Sequence, residues 1–375
     1  MLNRLPDEVL CQTLRYLLPP VTWRSTPRRH RILLALSRTC LAVARAAQKL
    51  LYEVVHIDRP TSATSWYHAV EDGSRARQLA HHFTRTLFIS SSPGVPIEPA
   101  LVERVFGTTP AIRELWLLDI SVHLLSLSIL PQLTACYMTK VCLLTHEQGT
   151  KVATAAGSSS RYWPCLPSLR VLALSECDLL HCGDDTVIPL EELLRTESLP
   201  RLTALAVTWS KDTSDPFTKR LDRQLSHLFL RRLPSEYARP TWRSTYPALP
   251  RDELSRMVGL EHLAVDACRP DDLAALASVP VELVSLCLVP GGMAGTEIER
   301  DVLSADLRCL DNLTALAVEQ IDRRDQREVV SRESTRQECD ARGVGLHEMR
   351  FRPHPLEEHL DERTWFRLTG ASPAI

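Results

Sequence analysis

Lysine is almost missing from this sequence. Of 44 basic residues only Lys49, Lys140, Lys151, Lys211 and Lys219 are lysines, and asparagine is confined to Asn3 and Asn312. That bias is what GC-rich coding produces, and alone it assigns no function. No excess of charge exists either: the 375 residues carry a formal net charge of −2, so nucleic acid is not expected as a partner, since phosphate binding shows as a basic surplus. No uncharged apolar run reaches the length of a membrane span, so no membrane partner is expected. The opening residues turn acidic at Asp7 and Glu8 without the apolar core of a secretory signal. The eleven cysteines are odd in number and irregularly spaced, which excludes a paired disulfide framework and reads as buried thiols in a reducing compartment, cytoplasmic and/or nuclear. Phosphate-loop, dinucleotide and nucleophile-elbow motifs are lacking. The run from Cys177 through His181 and Cys182 to Asp185 has no second cysteine pair to complete a zinc shell. No metal, no cofactor and no catalytic residue is therefore expected, and the chain reads as a non-enzyme.

What the sequence has instead is leucine, about one residue in six, within a 44% hydrophobic composition that can bury a core. Pro6 suits a first helical position, and Asp7 and Glu8 suit the positive end of a helix dipole. Leu10, Leu14 and Leu17 recur at i, i+4 and i+7, widened by Leu5 and Val9, before Pro19-Pro20 stops the helix. A basic loop from Trp23 to Arg31 follows. One further helical pattern carries Leu33, Leu36, Cys40 and Val43, and Glu53 to Ile57 reads as a short strand.

The order of Leu5-Pro6-x-Glu8-Val9-Leu10, then Leu33-x-x-Leu36-x-x-x-Cys40, then Leu50-Leu51-Tyr52 resembles an F-box of the fungal type, over about one-seventh of the chain. Two departures stand out: the loop from Pro19 to Arg31 is long, and some of the usual aromatic residues are missing at the end. The resemblance implies that residues 1–57 form a short all-helical domain that docks on a Skp-type adaptor, and through it a cullin. The contact positions it implies are Leu5, Pro6, Val9, Leu10, Leu14 and Leu36.

Residues 58–352 carry the spacing L-x-x-L-x-L-x-x-(N/C) of leucine-rich repeats. Leu169 to Cys177 matches at every specified position, and Leu260 to Cys268 with one conservative swap. Looser copies place the second leucine position at 87, 115, 136, 205, 286, 316 and 349. The step from 205 to 263 is 58 residues, so one degenerate copy is expected near Leu228; the mean step is then about 29. Leu130-Pro131, Leu166-Pro167 and Leu199-Pro200 precede copies and mark the turn into each strand. Return helices are expected over Ile188 to Leu194, Phe217 to Leu230 and Asp322 to Arg342, the last closed by Gly343. Surface insertions are expected at Gln148 to Tyr162, Pro234 to Pro250 and Pro290 to Thr296. The expected fold is thus α/β: a helical F-box-like domain and an irregular solenoid with parallel strands on its concave face. Residues 353–375 form a capping tail in which Trp365, Phe366 and Leu368 cover the last apolar layer.

In such a strand the residues between leucines point to the open face. Phe88, Trp116, Ala173, Ala206, Ala264, Cys287, Ala317 and Arg350 form one such row, so the floor is small in the middle, aromatic toward one end and charged toward the other. The expected substrate-binding residues are Trp116, Trp209, Arg350 and Arg352, the residue types enriched at interface hot spots. The resemblance then implies a non-catalytic substrate-recruiting subunit of an SCF-type ubiquitin ligase, its repeats binding a protein substrate that the sequence does not identify. Two readings stay open beside it. One is an interaction scaffold acting outside a ligase. The other is an enzyme with a dispersed site, which would need converging polar side chains where this sequence supplies alanines.

Overall fold

The computed structural model describes residues 6–371 except 23, 72–74, 93, 146–164, 182–192, 195–197, 210–220, 222, 233–248, 269–271, 291–294, 306, 321–325 and 350–357. The chain is α/β and divides into two compact units, residues 1–169 with 176–188, and residues 170–175 with 189–375. Among the described residues no helix is long and apolar enough to cross a membrane.

The first unit opens with three helices, α1 (Asp7–Leu17), α2 (Thr26–Leu36) and α3 (Leu41–Glu53). Then come β1 (Val54–Ile57), α4 (Pro60–Glu71), α5 (Arg75–Phe83), β2 (Thr86–Ser90), α6 (Pro99–Thr108), β3 (Glu114–Leu118), β4 (Ser121–His123), β5 (Ala135–Thr139) and β6 (Cys142–Thr145). Beyond β7 (Val171–Ser175), which belongs to the second unit, β8 (Asp178–His181) completes the first. Its larger sheet runs β1-β2-β3-β5, all parallel, with Val55, Leu87, Leu115 and Cys136 in one register row. A second parallel sheet, β4-β6-β8, aligns the buried Val122, Leu143 and Leu179. Parallel pairing forbids a hairpin, so each strand joins the next through a return path of variable length. This is why the repeat steps are irregular while the strand register is not.

The second unit continues from β7 through β9 (Ala204–Trp209), β10 (His227–Arg232), α7 (Arg251–Leu254), β11 (His262–Cys268), α8 (Leu273–Leu276), β12 (Ser285–Pro290), α9 (Gly295–Ser304), β13 (Ala315–Glu319), α10 (Gln326–Arg342), β14 (Gly345–Met349) and α11 (Glu358–Leu368). Its sheet order is β7-β9-β10-β11-β12-β13-β14, all parallel and in chain order. Leu172, Leu205, Leu228, Leu263, Leu286, Leu316 and Leu346 occupy one register row. The Leu-Pro turns recur: the amides of Leu133, Leu169 and Leu202 bond the carbonyls of Leu130, Leu166 and Leu199 at 3.1–3.2 Å.

Several expectations change. Leu228 does mark the degenerate copy, but as a strand, not as the end of a helix from Phe217. Leu225-x-x-Leu228-x-Leu230 fits the repeat and the helical period equally, and the neighbouring strands β9 and β11 decide it. Residues 217–220 of that helix lie outside the described residues, as do most of Ile188 to Leu194 and of the first two insertions. In the third, helix α9 begins at Gly295. The last copy shifts by three residues. Gly343, at φ +70°, ends α10, and the Gly345 amide bonds the Thr314 carbonyl at 2.8 Å, so Leu346 rather than Met349 meets Leu316. The charges of α10 do form a solvated face of exposed pairs, Arg336 with Glu333 at 2.8 Å and Arg342 with Glu338 at 2.8 Å. Arg332 is the exception, buried at 2.9 Å from Glu299.

Three non-glycine residues hold left-handed backbone: Asp119 (φ 52°), Lys140 (φ 53°) and Glu176 (φ 51°). Each stands two residues before a strand of the β4-β6-β8 sheet, so one left-handed residue turns the chain from one sheet into the other. The Asp119 amide bonds the Thr139 carbonyl and the Cys142 amide the Ile120 carbonyl, which stacks these corners. A left-handed residue with a Cβ costs about 1–2 kcal/mol, most for a β-branched side chain. Lys140→Gly should therefore keep or raise stability, whereas Lys140→Val should fall below it by about 1–2 kcal/mol in urea denaturation. Equal midpoints for the two variants would contradict the corner.

Candidate functional site

Two surfaces carry the residues singled out in the sequence. The first is the three-helix segment. Helix α1 buries Leu10, Cys11, Leu14 and Leu18 against Leu33 of α2 and Ala46, Ala47 and Leu50 of α3. The small Ala46 and Ala47 let α3 approach α1 closely, and the Cys11 thiol sits 3.9 Å from the Ala46 carbonyl. Burial pushes that thiol's pKa up. Polar links then fix the angles. Lys49 of α3 bonds Asp7 of α1 at 2.8 Å, which holds the Asp7 carboxyl below its usual range. Arg15 of α1 forks onto Glu53 at 3.2 and 2.8 Å. Arg29 of α2 is buried, donates to the Pro19 carbonyl at 3.1 Å and lies 3.9 Å from the same Glu53; burial lowers its pKa. Glu53 thus ties α1, α2 and the end of α3 together.

The basic loop expected to Arg31 ends earlier, because Thr22 and Ser25 bond reciprocally, amide to hydroxyl at 3.1 and 3.2 Å, and start α2 at Thr26 with Pro27 in its first turn. The helical pattern from Leu33 to Val43 is interrupted: α2 ends at Leu36, and Cys40, in extended conformation, precedes α3.

The implied adaptor contacts separate into two groups. Leu5 lies outside the described residues. Pro6 is exposed and Val9 is 46% exposed. Leu10 and Leu14 are buried in the core and Leu36 is half-buried against it, so these three face inward rather than toward a partner. Helical geometry is the reason: Leu10 and Leu14 lie on the side of α1 away from Val9 and Tyr16, which are seven residues apart on one face. Tyr16 is 83% and Leu17 74% exposed, and Leu34 of α2 and Leu41 of α3 are exposed as well. Tyr16, Leu34 and Leu41 were not singled out in the sequence. The i+7 step from Val9 to Tyr16 was the available signal, masked by the stronger Leu10-Leu14 pattern.

The second surface is the strand face expected to be open. In the first unit it is an aromatic row. The rings of His56 and Phe88 meet edge-on at 6.4 Å, Phe88 and Trp116 lie 5.6 Å apart, and Trp116 stacks on Tyr137 at 4.2 Å. Trp116 is only 7% exposed, so it is a packing residue in this conformation and not an open anchor. In the second unit Ala173, Ala206, Phe229, Ala264, Cys287 and Ala317 are buried as well. Strands apolar on both faces are buried on both faces, and the alanine floor is a symptom of that. The Trp209 backbone pairs in register with Arg232, and Arg350 and Arg352 lie outside the described residues. In that row His347 of the shifted last strand pairs with Ala317.

Helix α11 covers part of this face. Trp365 and Phe366 are fully buried, while Leu368 is exposed. Phe366 meets His227 of β10 edge-on at 6.4 Å, four strands in from β14, so the tail lies on the sheet face and does not merely close its end. His227 stacks on His262 of β11 at 4.1 Å with 24° between the rings. The Ser226 hydroxyl is 2.8 Å from His227 Nδ1, and His227 Nε2 is 3.2 Å from the Thr369 carbonyl oxygen. His262 Nδ1 lies 2.6 Å from the Ser285 hydroxyl. Burial, reinforced by His262, drives the His227 pKa down to about 4; burial lowers His262 too. The arrangement binds and orients through neutral imidazoles. Among the described residues no group of three or more His, Cys, Asp or Glu side chains is placed to hold a metal ion, and Cys182 lies outside them.

Both imidazoles are neutral in the fold above pH 6.5, as in the unfolded chain, so they add no pH dependence there. Below it the unfolded chain takes protons that the fold refuses, and stability falls until His227 protonates near pH 4. At about 1.4 kcal/mol per pKa unit, His227 alone costs the fold about 3 kcal/mol across that window. Urea midpoints measured from pH 7.5 to 4.5 should therefore drop, and His227→Gln should lessen the slope, with His56, which burial also pushes to about 4, keeping part of it. An unchanged slope would contradict a buried neutral His227.

The chain matches no protein-family model and no curated protein.

Proposed function

We propose that this chain is a non-catalytic recruiting subunit of an SCF-type ubiquitin ligase, its first three helices docking on a Skp-type adaptor and, through it, a cullin. The observation that carries the reading is the apolar surface exposed on α1, Val9 and Tyr16 along one face and Leu17 at its C-terminal end, although the same helix buries Leu10, Cys11 and Leu14 in a core. Exposed apolar patches of this kind favour protein contacts. This one falls within the Leu5 to Tyr52 pattern that resembles an F-box. The parallel strands, most of them with leucines at L-x-x-L-x-L spacing, support a leucine-rich-repeat solenoid after it in the chain. In this role the chain breaks no bond itself. It raises the effective concentration of a bound protein near the transfer machinery, as linked binding modules do.

Exposed positions give a clean test, since their substitution leaves the core intact. Val9→Asp/Leu17→Asp should lower adaptor binding at least 30-fold in a pull-down or by calorimetry, with an unchanged circular dichroism melt. Leu10→Ala should instead cost about 2–5 kcal/mol of stability in the first unit. Wild-type affinity in the double variant, or no adaptor binding by the intact chain, would overturn the reading. Adaptor binding without recovery of a cullin would move the chain to a scaffold outside the ligase.

A further inference from the structure

We propose that the outer face of α2 is a docking surface for a short acidic segment of a protein partner. The face lies on a different helix from Val9, Tyr16 and Leu17, so the inference goes beyond the adaptor reading and does not depend on it.

The basis is a segregation of charge. Between Glu8 and Glu53 the sequence holds eight basic residues and no acidic one. Against an overall charge of −2, those eight leave −10 for the rest of the chain. Three of the eight are used within the helical segment: Arg15 and Arg29 at Glu53, and Lys49 at Asp7. Helix α2 buries Thr26, Arg29 and Leu33. At about 100° per residue, Arg28, Arg31, Leu34 and Ala35 fall on the side away from these, and all four are exposed. Arg38, exposed in the turn that follows the helix, extends the row.

These arginines are placed against the stability of the helix itself. Arg28 sits in the first turn, at the positive end of the helix dipole, where no acidic residue offsets it. Arg28 and Arg31, three residues apart, repel each other. Among the described residues Arg28, Arg31 and Arg38 make no ion pair. Other helices of the chain are arranged the opposite way. Helix α1 opens with Asp7 and Glu8 and ends with Arg15, and α10 pairs Arg336 with Glu333 and Arg342 with Glu338. Carboxylates of a partner relieve the repulsion on α2, and arginine suits them because its planar fork takes both oxygens. Two features favour a short peptide over a phosphate chain. The row from Arg28 to Arg38 spans only about 15 Å, and the −10 carried by the rest of the chain repels a longer polyanion. Leu34, 51% exposed, stands among the charges and calls for an apolar side chain, which a phosphate backbone lacks. The segment recognised is therefore acidic, with an apolar residue at its middle.

The probe is a fluorescently labelled peptide of three glutamates, a leucine and three glutamates, read by polarisation against the full-length chain at low salt. Wild type should bind it saturably. Arg28→Gln/Arg31→Gln/Arg38→Gln should weaken binding by about ten-fold or more, and Leu34→Ser by about three-fold. Arg113→Gln/Arg170→Gln/Arg201→Gln removes the same charge from exposed positions elsewhere and should leave the affinity within about two-fold. No binding by wild type, or equal loss in the two triple variants, would overturn the proposal. So would tighter binding of single-stranded DNA of similar length, or of phosphatidylserine vesicles, than of the peptide. Urea denaturation gives a readout without any ligand. The α2 triple variant should keep or raise the wild-type midpoint, because the arginines repel one another, and a lowered midpoint would make the row a structural feature of the fold. Neither measurement uses an adaptor, so failed adaptor docking and a failed α2 surface are distinguishable.

Discussion

The apolar residue at one register position of each strand, in most of them a leucine, is the constraint on which the rest of this molecule depends. Val55, Leu87, Leu115 and Cys136 align in the first unit, and Leu172 through Leu346 in the second, nearly all of them buried. A parallel strand that slipped by one residue would turn this row to the opposite face. The penalty for slippage is multiplied by the number of strands, since each leucine is packed between those of its neighbours. With register fixed so firmly, return paths are free to vary, and the elements they carry differ as much as the six-residue 3-10 helix Leu124–Ile129 and the 17-residue α10.

The same ladder explains the two candidate surfaces. Because the interior strands are paired on both sides, the helices over them are held largely by side chains. In the first unit Glu53 gathers Arg15 and Arg29 at the point where α3 passes into β1, so the three-helix segment is clamped at the first strand. The side of α1 that carries Val9 and Tyr16 is left in water, as is Leu17 at the end of the helix. In the second unit α11 lies on a finished sheet, held by two aromatic rings and a histidine-capped helix end. Among the described residues the first surface meets solvent, and the second is filled by α11.

Much of this was legible in the sequence, and the misses have specific causes. Strand positions from Leu87 to Leu316 follow from spacing because the ladder enforces spacing, and even the degenerate copy at Leu228 could be placed from the gap around it. The helix expected over Phe217 to Leu230 failed since i, i+4, i+7 and L-x-x-L-x-L overlap at Leu221, Leu225 and Leu228. The last strand was read three residues late, as Gly343 and Gly345 set its entry by backbone geometry that leucine spacing does not encode. The open concave face failed for a different reason. Burial of Trp116 and of the alanine row depends on what folds over the sheet, which strand periodicity alone does not report. Leu10 and Leu14 were assigned to a partner when they belong to the local core, because the resemblance names positions and not the side of the helix each one faces.

The central claim is that the exposed side of α1 is the adaptor's contact surface. Hydroxyl-radical footprinting of the full chain, alone and with a purified Skp-type adaptor, tests it residue by residue. The account predicts strong protection of Tyr16 and Leu17 in the complex, with reactivity at Trp365 and Phe366 unchanged. A stable complex in which Tyr16 and Leu17 stay as reactive as in the free chain would contradict it.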